Sequence, residues 1–372
     1  MHLRTQTRTL KVGNLPLGGG APVSVQTMAN IDPHDGASLS AQIARCAELG
    51  CDLYRLTIPD VEAAKVLGEV RKTSPIPLVS DIHFDYRCAL AAIEAGTDAL
   101  RLNPGNIGSR DRVQAVARAA KGKGVPIRIG VNFGSLEKDL DAKVRAGTLR
   151  VSQALCASAL GHLKLLEDEG FRDVVISVKA SNVQDTLESY RLLAERTDCP
   201  LHVGVTEAGT FLPGAVRNSV ALGILLSEGI GDTIRVSLTD QPEKEVRVGM
   251  EILRSLGLKA PGPAITSCPT CGRTKVNLFK VAAEVESALE AHYNQLLKES
   301  PAKAIAFPHV AVMGCVVNGP GEAKGADVAL CGGAREFLLY VGGRPAGKVR
   351  PEDAVAAVLS AVRGLISEEA KG

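Results

Sequence analysis

The sequence has no tryptophan, and aromatic residues fill only 3 % of its 372 positions. Proteins that bind nucleic acid without base readout stack bases on such side chains and track the backbone with a basic stripe. Here 43 Lys and Arg stand against 41 Asp and Glu, for a formal net charge of +2, with no long basic run. Nucleic acid is therefore not an expected partner. Long hydrophobic runs are also missing. No apolar stretch reaches the roughly 20 residues that a membrane-spanning helix needs, and the start from Met1 to Leu10 lacks the apolar core of a secretory signal. A cytoplasmic protein without a membrane partner is expected. Without a secretion signal, the nine cysteines read as thiols, some of them metal ligands, and not as a disulfide framework.

What is present suits a folded chain with a large interior: 45 % hydrophobic and 23 % charged residues. At 372 residues the chain exceeds what one core usually serves, so a large and a small domain are expected. Short β-rich runs alternate with amphipathic segments over the first two-thirds. The runs cover Pro22 to Thr27, Asp52 to Ile58, Pro77 to Ile82, Ala99 to Asn103, Pro126 to Asn132, Asp173 to Lys179, Leu201 to Glu207 and Thr233 to Leu238. Between them, segments such as Leu39 to Leu49, Asp60 to Val70 and Asp185 to Glu195 repeat apolar residues at helical spacing. Such alternation implies parallel strands with helical crossovers, and eight units in about 250 residues is the size of a (β/α)8 TIM-type barrel. The fold class is thus α/β, with the barrel over residues 1–260. After the linker-like Lys259 to Pro263, residues 261–372 read as an α+β domain, with helices near Val276 to Leu297 and Pro351 to Ile366 around strand-like runs.

Barrel enzymes keep their chemistry at the carboxyl ends of the strands. Those ends carry Gln26, Arg55, Asp81 and His83, then Arg101, Asn103, Arg128 and Asn132, then Lys179, Glu207, Arg235 and Ser237. Four arginines at matching places are not what a packed interior selects, because burying an unpaired charge costs several kcal/mol. Either they pair with Asp81 and Glu207 or they await an anion. Cations outnumber acids, and Arg forks fit phosphate oxygens, so a phosphorylated substrate is expected. Arg55 and Arg235 are the two most open to an outward-facing reading. Lys179 is a phosphate contact or a Schiff-base lysine.

The small domain holds Cys268-Pro-Thr-Cys271 and, further on, Gly314-Cys315 in a Gly-Pro-rich loop that reaches Glu322. Three thiolates and one displaceable oxygen ligand suit a [4Fe-4S] cluster that binds substrate at one iron. The rival is a structural zinc site with Cys331 as fourth ligand, beside a barrel lyase or aldolase that uses Lys179. Cys46, Cys51, Cys88, Cys156 and Cys199 read as small buried hydrophobes. Gly342 to Lys348 mimics a phosphate-binding P-loop, but Val349 stands where a magnesium-binding hydroxyl belongs. It reads as a hairpin turn.

Several longer motifs carry a resemblance. Asp81-Ile-His-Phe-Asp-Tyr-Arg87, Arg101-Leu-Asn-Pro-Gly-Asn-Ile-Gly108, Arg128-Ile-Gly-Val-Asn132, Thr206-Glu-Ala-Gly209, Cys268-Pro-Thr-Cys-Gly-Arg273 and Gly314-Cys-Val-Val-Asn-Gly-Pro-Gly-Glu322 resemble the 4-hydroxy-3-methylbut-2-en-1-yl diphosphate synthases of the methylerythritol phosphate route to isoprenoids. The resemblance runs from about Thr9 to Gly343. It implies reductive opening of 2-C-methyl-D-erythritol 2,4-cyclodiphosphate, with electrons from flavodoxin or ferredoxin. It also implies a head-to-tail homodimer and a [4Fe-4S] cluster on Cys268, Cys271, Cys315 and Glu322. The barrel-mouth residues then bind substrate, and Glu207 is the candidate proton donor or substrate-hydroxyl contact.

Overall fold

Short β-branched runs and amphipathic segments alternate in space as they do along the chain. The computed structural model describes residues 3–260, 262–263, 265–300, 303–304, 307–315, 317, 321 and 323–369. Two units emerge, Met1–Lys259 and Ala260–Gly372.

The first unit opens with a hairpin, β1 (Leu10–Val12) and β2 (Leu15–Leu17), turned by Gly13-Asn14. Gly13 has φ +59°, and a Cβ there would stand 2.6 Å from the Asp98 carboxylate, so only glycine fits. Leu10, Val12 and Leu17 pack against Leu53, Val79, Ala99 and Val175 and floor the barrel. Its strands are β3 (Ser24–Met28), β4 (Leu53–Thr57), β5 (Leu78–Asp81), β6 (Ala99–Leu102), β7 (Ile127–Asn132), β8 (Val174–Lys179), β9 (His202–Val203) and β10 (Thr233–Ile234). They lie in the order β8-β7-β6-β5-β4-β3-β10-β9, every pairing parallel, and a bridge from Ile176 to Leu201 brings β8 beside β9. This is the eight-strand barrel expected from the alternation. The helices carry the matching patterns: α1 (Gly36–Glu48) buries Leu39, Gln42, Ile43 and Cys46, and α2 (Val61–Thr73) buries Ala63, Ala64, Leu67 and Val70. Asp35 and Asp60 cap them by accepting the Ser38 and Ala63 N–H groups at 3.0 and 2.8 Å.

The last two barrel strands are shorter than the sequence pattern implied. Side chains take over the backbone groups beyond their ends. Asn218 accepts the Val205 N–H at 3.4 Å and donates to the Ser237 carbonyl at 3.3 Å. The Tyr190 hydroxyl donates to the His202 carbonyl at 2.6 Å. Past the two residue pairs that join β10 to β3, Glu245 bridges the same seam. It lies in the first turns of a helix over Pro242–Ser255 and is 3 % exposed. Its carboxylate accepts from Thr27 Oγ1 at 2.7 Å, the Leu238 N–H at 2.9 Å and Arg235 Nη2 at 3.1 Å.

The second unit is a five-stranded sheet in sequence order: β11 (Ile265–Ser267), β12 (Val310–Met313), β13 (Val328–Gly332), β14 (Phe337–Val341) and β15 (Arg344–Val349). The first three are parallel and the last two antiparallel. Gly342 and Gly343, at φ +55° and +73°, make the two-residue turn between β14 and β15, so the P-loop look-alike is a hairpin. Helices Leu278–Glu299 and Ala354–Glu369 supply Val281, Val285, Leu289, Val358 and Val362 to the core with Val310, Val312, Val328 and Leu330. Among the described residues no helix is long and apolar enough to cross a membrane.

Replacing Glu245 by Ala strands Arg235 and the Leu238 N–H in the interior, and breaking a buried ion pair on one side costs about 3–5 kcal/mol. Urea denaturation followed by circular dichroism should show a loss of that size. A change under about 1 kcal/mol, the level of an exposed pair, would remove Glu245 as the brace of the seam.

Candidate active site

In a parallel barrel, alternate residues of each strand point into the lumen. On β7 these are Arg128, Gly130 and Asn132. Strands β7 and β3 stand opposite each other in the ring, so the 2.5 Å bond from Arg128 Nη1 to Gln26 Oε1 crosses the interior. Arg128 is 5 % exposed and sits deep. Nearer the strand ends, Asp81 is 1 % exposed and lies between two cations. Arg101 Nη1 donates to Asp81 Oδ1 at 3.1 Å, and Arg55 Nε approaches Asp81 Oδ2 at 3.6 Å. Half-exposed His83 has Nε2 at 4.0 Å from Asp81 Oδ2. Arg235 Nη1 donates to Ser237 Oγ at 2.7 Å and leans on Glu245. Arg55 and Arg235 therefore face inward, and the second acid of the lumen is Glu245 and not Glu207. Glu207 is exposed at the rim, with φ +52°, a left-handed conformation that a non-glycine residue holds at a cost of about 1 kcal/mol or more.

Several positive groups share one poorly solvated space, and their ionisation shows it. Burial, together with Arg235 and Arg101, lowers the Arg55 guanidinium to about 10 against the pull of Asp81. Burial, then Arg55 and Arg101, drives Arg128 well down. Burial, then Arg235, Arg55 and Arg128, pushes the Lys179 ammonium well below its ordinary value, with Glu245 opposing. Burial followed by Arg128 and Lys179 keeps His202 neutral. Burial works to raise the Asp81 carboxyl, yet Arg55, Arg101, His83 and Arg128 hold it below its ordinary value. Among the described residues, Arg128 Nε and Nη2 and Arg235 Nε are buried donors without acceptors. Buried donors are nearly always satisfied, and these two guanidinia lie among the other cations of the lumen. Asn103 is buried on the same rim and Asn132 ends β7.

The second unit gathers its thiols by the same topological rule. Strands β11 and β12 are parallel neighbours, with Ser267 level with Val312. The residues that leave their carboxyl ends, Cys268 and Gly314-Cys315, therefore emerge side by side. The Cys268-Pro-Thr-Cys271 turn bends through Thr270 at φ +65°. Cys268, Cys271 and Cys315 line one cavity of about 130 Å³ with Arg273 and Thr274. The Gly314 N–H donates to Cys268 Sγ at 3.3 Å, and the Arg273 backbone and side chain lower the Cys271 thiol. Gly314 has no room for a side chain, since a Cβ would meet Thr274 Oγ1 at 2.8 Å. Donors aimed at sulfur and thiols spread around a hollow fit an iron–sulfur group. Among the described residues no three His, Cys, Asp or Glu side chains converge as a single metal ion requires. Cys331 is 1 % exposed, packs with Ala311, Met313 and Ala329, and has its thiol raised to about 11 by burial, then by Cys315. Glu322 lies outside the described residues.

Sequence reasoning missed Glu245, whose Pro-Glu-Lys-Glu context reads as an ordinary acidic helix start. It also passed over Gly130 and Gly204, although a glycine inside a strand pattern signals a close approach. A Cβ on Gly204 would meet the Arg235 carbonyl at 2.3 Å and Lys179 Nζ at 3.1 Å.

Comparison with known proteins covers both units. Residues 7–250 match the family model "GcpE TIM-barrel domain" and residues 264–364 match "GcpE protein C-terminal domain". The chain is 49 % identical over 370 residues to the 4-hydroxy-3-methylbut-2-en-1-yl diphosphate synthase (flavodoxin) of Geobacter sulfurreducens, covering 99 % of this chain and 100 % of that one. It is 52 % identical over 350 residues to the protein of the same name from Maridesulfovibrio salexigens (94 % of each chain). It is 50 % identical over 365 residues to that of Symbiobacterium thermophilum, covering 98 % of this chain and 95 % of that one.

The depressed Lys179 gives a signed expectation. An incoming anion stabilises the ammonium and returns its basicity toward normal, so binding takes up protons at pH values between the depressed and ordinary values. Calorimetry of inorganic pyrophosphate binding at about pH 8, in two buffers of different ionisation enthalpy, should show wild type taking up more protons than Lys179→Met, a difference that cancels the proton pyrophosphate itself carries. An equal proton count in the two would contradict the assignment.

Proposed function

The chain belongs to the 4-hydroxy-3-methylbut-2-en-1-yl diphosphate synthase family, and from that membership we propose how its residues carry the reaction. The enzyme is an iron–sulfur oxidoreductase of the methylerythritol phosphate pathway. It opens the ring of 2-C-methyl-D-erythritol 2,4-cyclodiphosphate with two electrons and releases one oxygen as water. The observation that carries the reading is the lumen that joins buried, unbonded Arg128 and Arg235 donors to Arg55, Arg101 and Lys179, in a chain half identical to these synthases along its length.

Arg55, Arg101, Arg128 and Arg235, with Asn103, Asn132, Ser237, His83 and Lys179, bind and orient the cyclic diphosphate. Asp81 and Glu245 hold the arginine forks in place. When the ring ester opens, the diphosphate gains negative charge, and preformed donors in a poorly solvated cavity stabilise that gain more than water does. Lys179, whose basicity burial and the neighbouring arginines lower, regains it beside the diphosphate. Glu207, exposed at the rim, is the group proposed to deliver a proton to the departing oxygen. Cys268, Cys271, Cys315 and Glu322 hold a [4Fe-4S] cluster. When bound, the cluster supplies single electrons and a Lewis-acidic iron. Flavodoxin, named for the relatives, or a ferredoxin delivers the electrons. A cytoplasmic homodimer completes the proposal. A lysine of lowered basicity also suits a Schiff base, and burial followed by Arg235, Arg55 and Arg128 would serve either role; membership of the synthase family favours the anion contact.

Glu322→Ala, purified anaerobically and assayed for iron and sulfide, should lose cluster content and about tenfold or more of turnover, the scale on which ligand-shell changes act. Survival of both would remove Glu322 as a ligand. Cys271→Ser should lose the cluster, while Cys331→Ser should keep it.

A further inference from the structure

Gly130 is the one lumen-facing position of β7 without a side chain, between Arg128 below and Asn132 above. Its φ is not in the left-handed region, so the backbone does not demand glycine there, and glycine inside a strand weakens it. The vacant place is filled by a neighbour. Arg101, on adjacent β6, lies across β7 with Nη2 donating to the Gly130 carbonyl at 3.2 Å and Nη1 donating to Asp81 Oδ1 at 3.1 Å. A Cβ on Gly130 would stand 2.3 Å from Arg101 Nε, 2.7 Å from Nη2 and 2.8 Å from Cζ. All three atoms belong to the guanidinium plane, so a side chain at position 130 displaces the whole fork and not one atom of it.

We propose that Gly130 is a positioning residue for anion binding: its missing side chain is the slot that holds the Arg101 guanidinium flat against β7 and in register with Asp81. The inference rests on the reading of the lumen as the diphosphate site. Arg101 is wedged between a carboxylate on β5 and a carbonyl on β7, so its fork is preset before an anion arrives. A methyl group at position 130 forces it off that plane. A shift of about 1 Å in a binding group costs up to a hundredfold in function.

The test is a double-mutant cycle on the full chain with inorganic pyrophosphate as probe. Gly130→Ala should weaken pyrophosphate binding about tenfold or more, and Arg101→Ala should weaken it as well. In the double variant the Gly130 effect should vanish, leaving affinity within about twofold of Arg101→Ala, because residues acting through one contact are not additive. Thermal melting gives a second readout. Any melting-temperature loss that Gly130→Ala causes in the wild-type background should be absent when it is added to Arg101→Ala, where the clashing group is gone, so a poorly folding single variant still leaves the cycle readable. Unchanged binding in Gly130→Ala, or additive losses, would overturn the inference alone. Absence of wild-type pyrophosphate binding, or binding indifferent to Arg101→Ala, would overturn it together with the diphosphate reading of the lumen.

Discussion

The structure of the barrel unit turns on like-charge crowding. Arg55, Arg101, Arg128, Lys179 and Arg235 project into one poorly solvated lumen, where two unit charges at contact distance repel by about 4 kcal/mol at the effective dielectric of such places. Asp81 and Glu245 are the buried acids set among them. Each does double work. Asp81 separates Arg55 from Arg101, and Glu245 both answers Arg235 and stitches the seam where the β10–β3 ladder stops. The acids do not cancel the field. The remaining positive excess is what the proposed diphosphate site draws on, since donors set in place beforehand stabilise negative charge that forms during turnover.

The fold was legible in the sequence because strand–helix alternation repeats eight times and leaves few other closed solutions. Element ends were less so. Strands read as Leu201 to Glu207 and Thr233 to Leu238 are two paired residues each, since Asn218, Tyr190 and Glu245 compete for their backbone groups. Such competition comes from residues distant along the chain and leaves no trace in local pattern. The β1–β2 hairpin was passed over because three-residue strands show no usable periodicity. The same logic divides the site. Arginines at strand ends are conspicuous because charge inside a barrel is costly. Glu245 was hidden, because an acidic residue in the first turns of a helix needs no special reason.

Both units use one device. Parallel strands send their carboxyl ends to the same edge, so residues far apart in sequence emerge together. In the barrel this gathers the cations. In the smaller sheet it sets Cys268 and Cys271 beside Cys315, across more than forty residues of intervening chain. Glycine then allows the final approach, at Gly314 beside the thiols as at Gly204 and Gly130 beside the cations.

One feature of the thiols reaches past catalysis to their reactivity. Cys46, Cys51, Cys88, Cys156, Cys199 and Cys331 are all buried, and burial raises every one of these thiols, Cys46 to about 12 and Cys199 to about 11. Only a thiolate captures soft metal or attacks an electrophile. In the folded chain only Cys268, Cys271 and Cys315 escape burial, so most of its cysteine thiols stay silent to alkylating reagents.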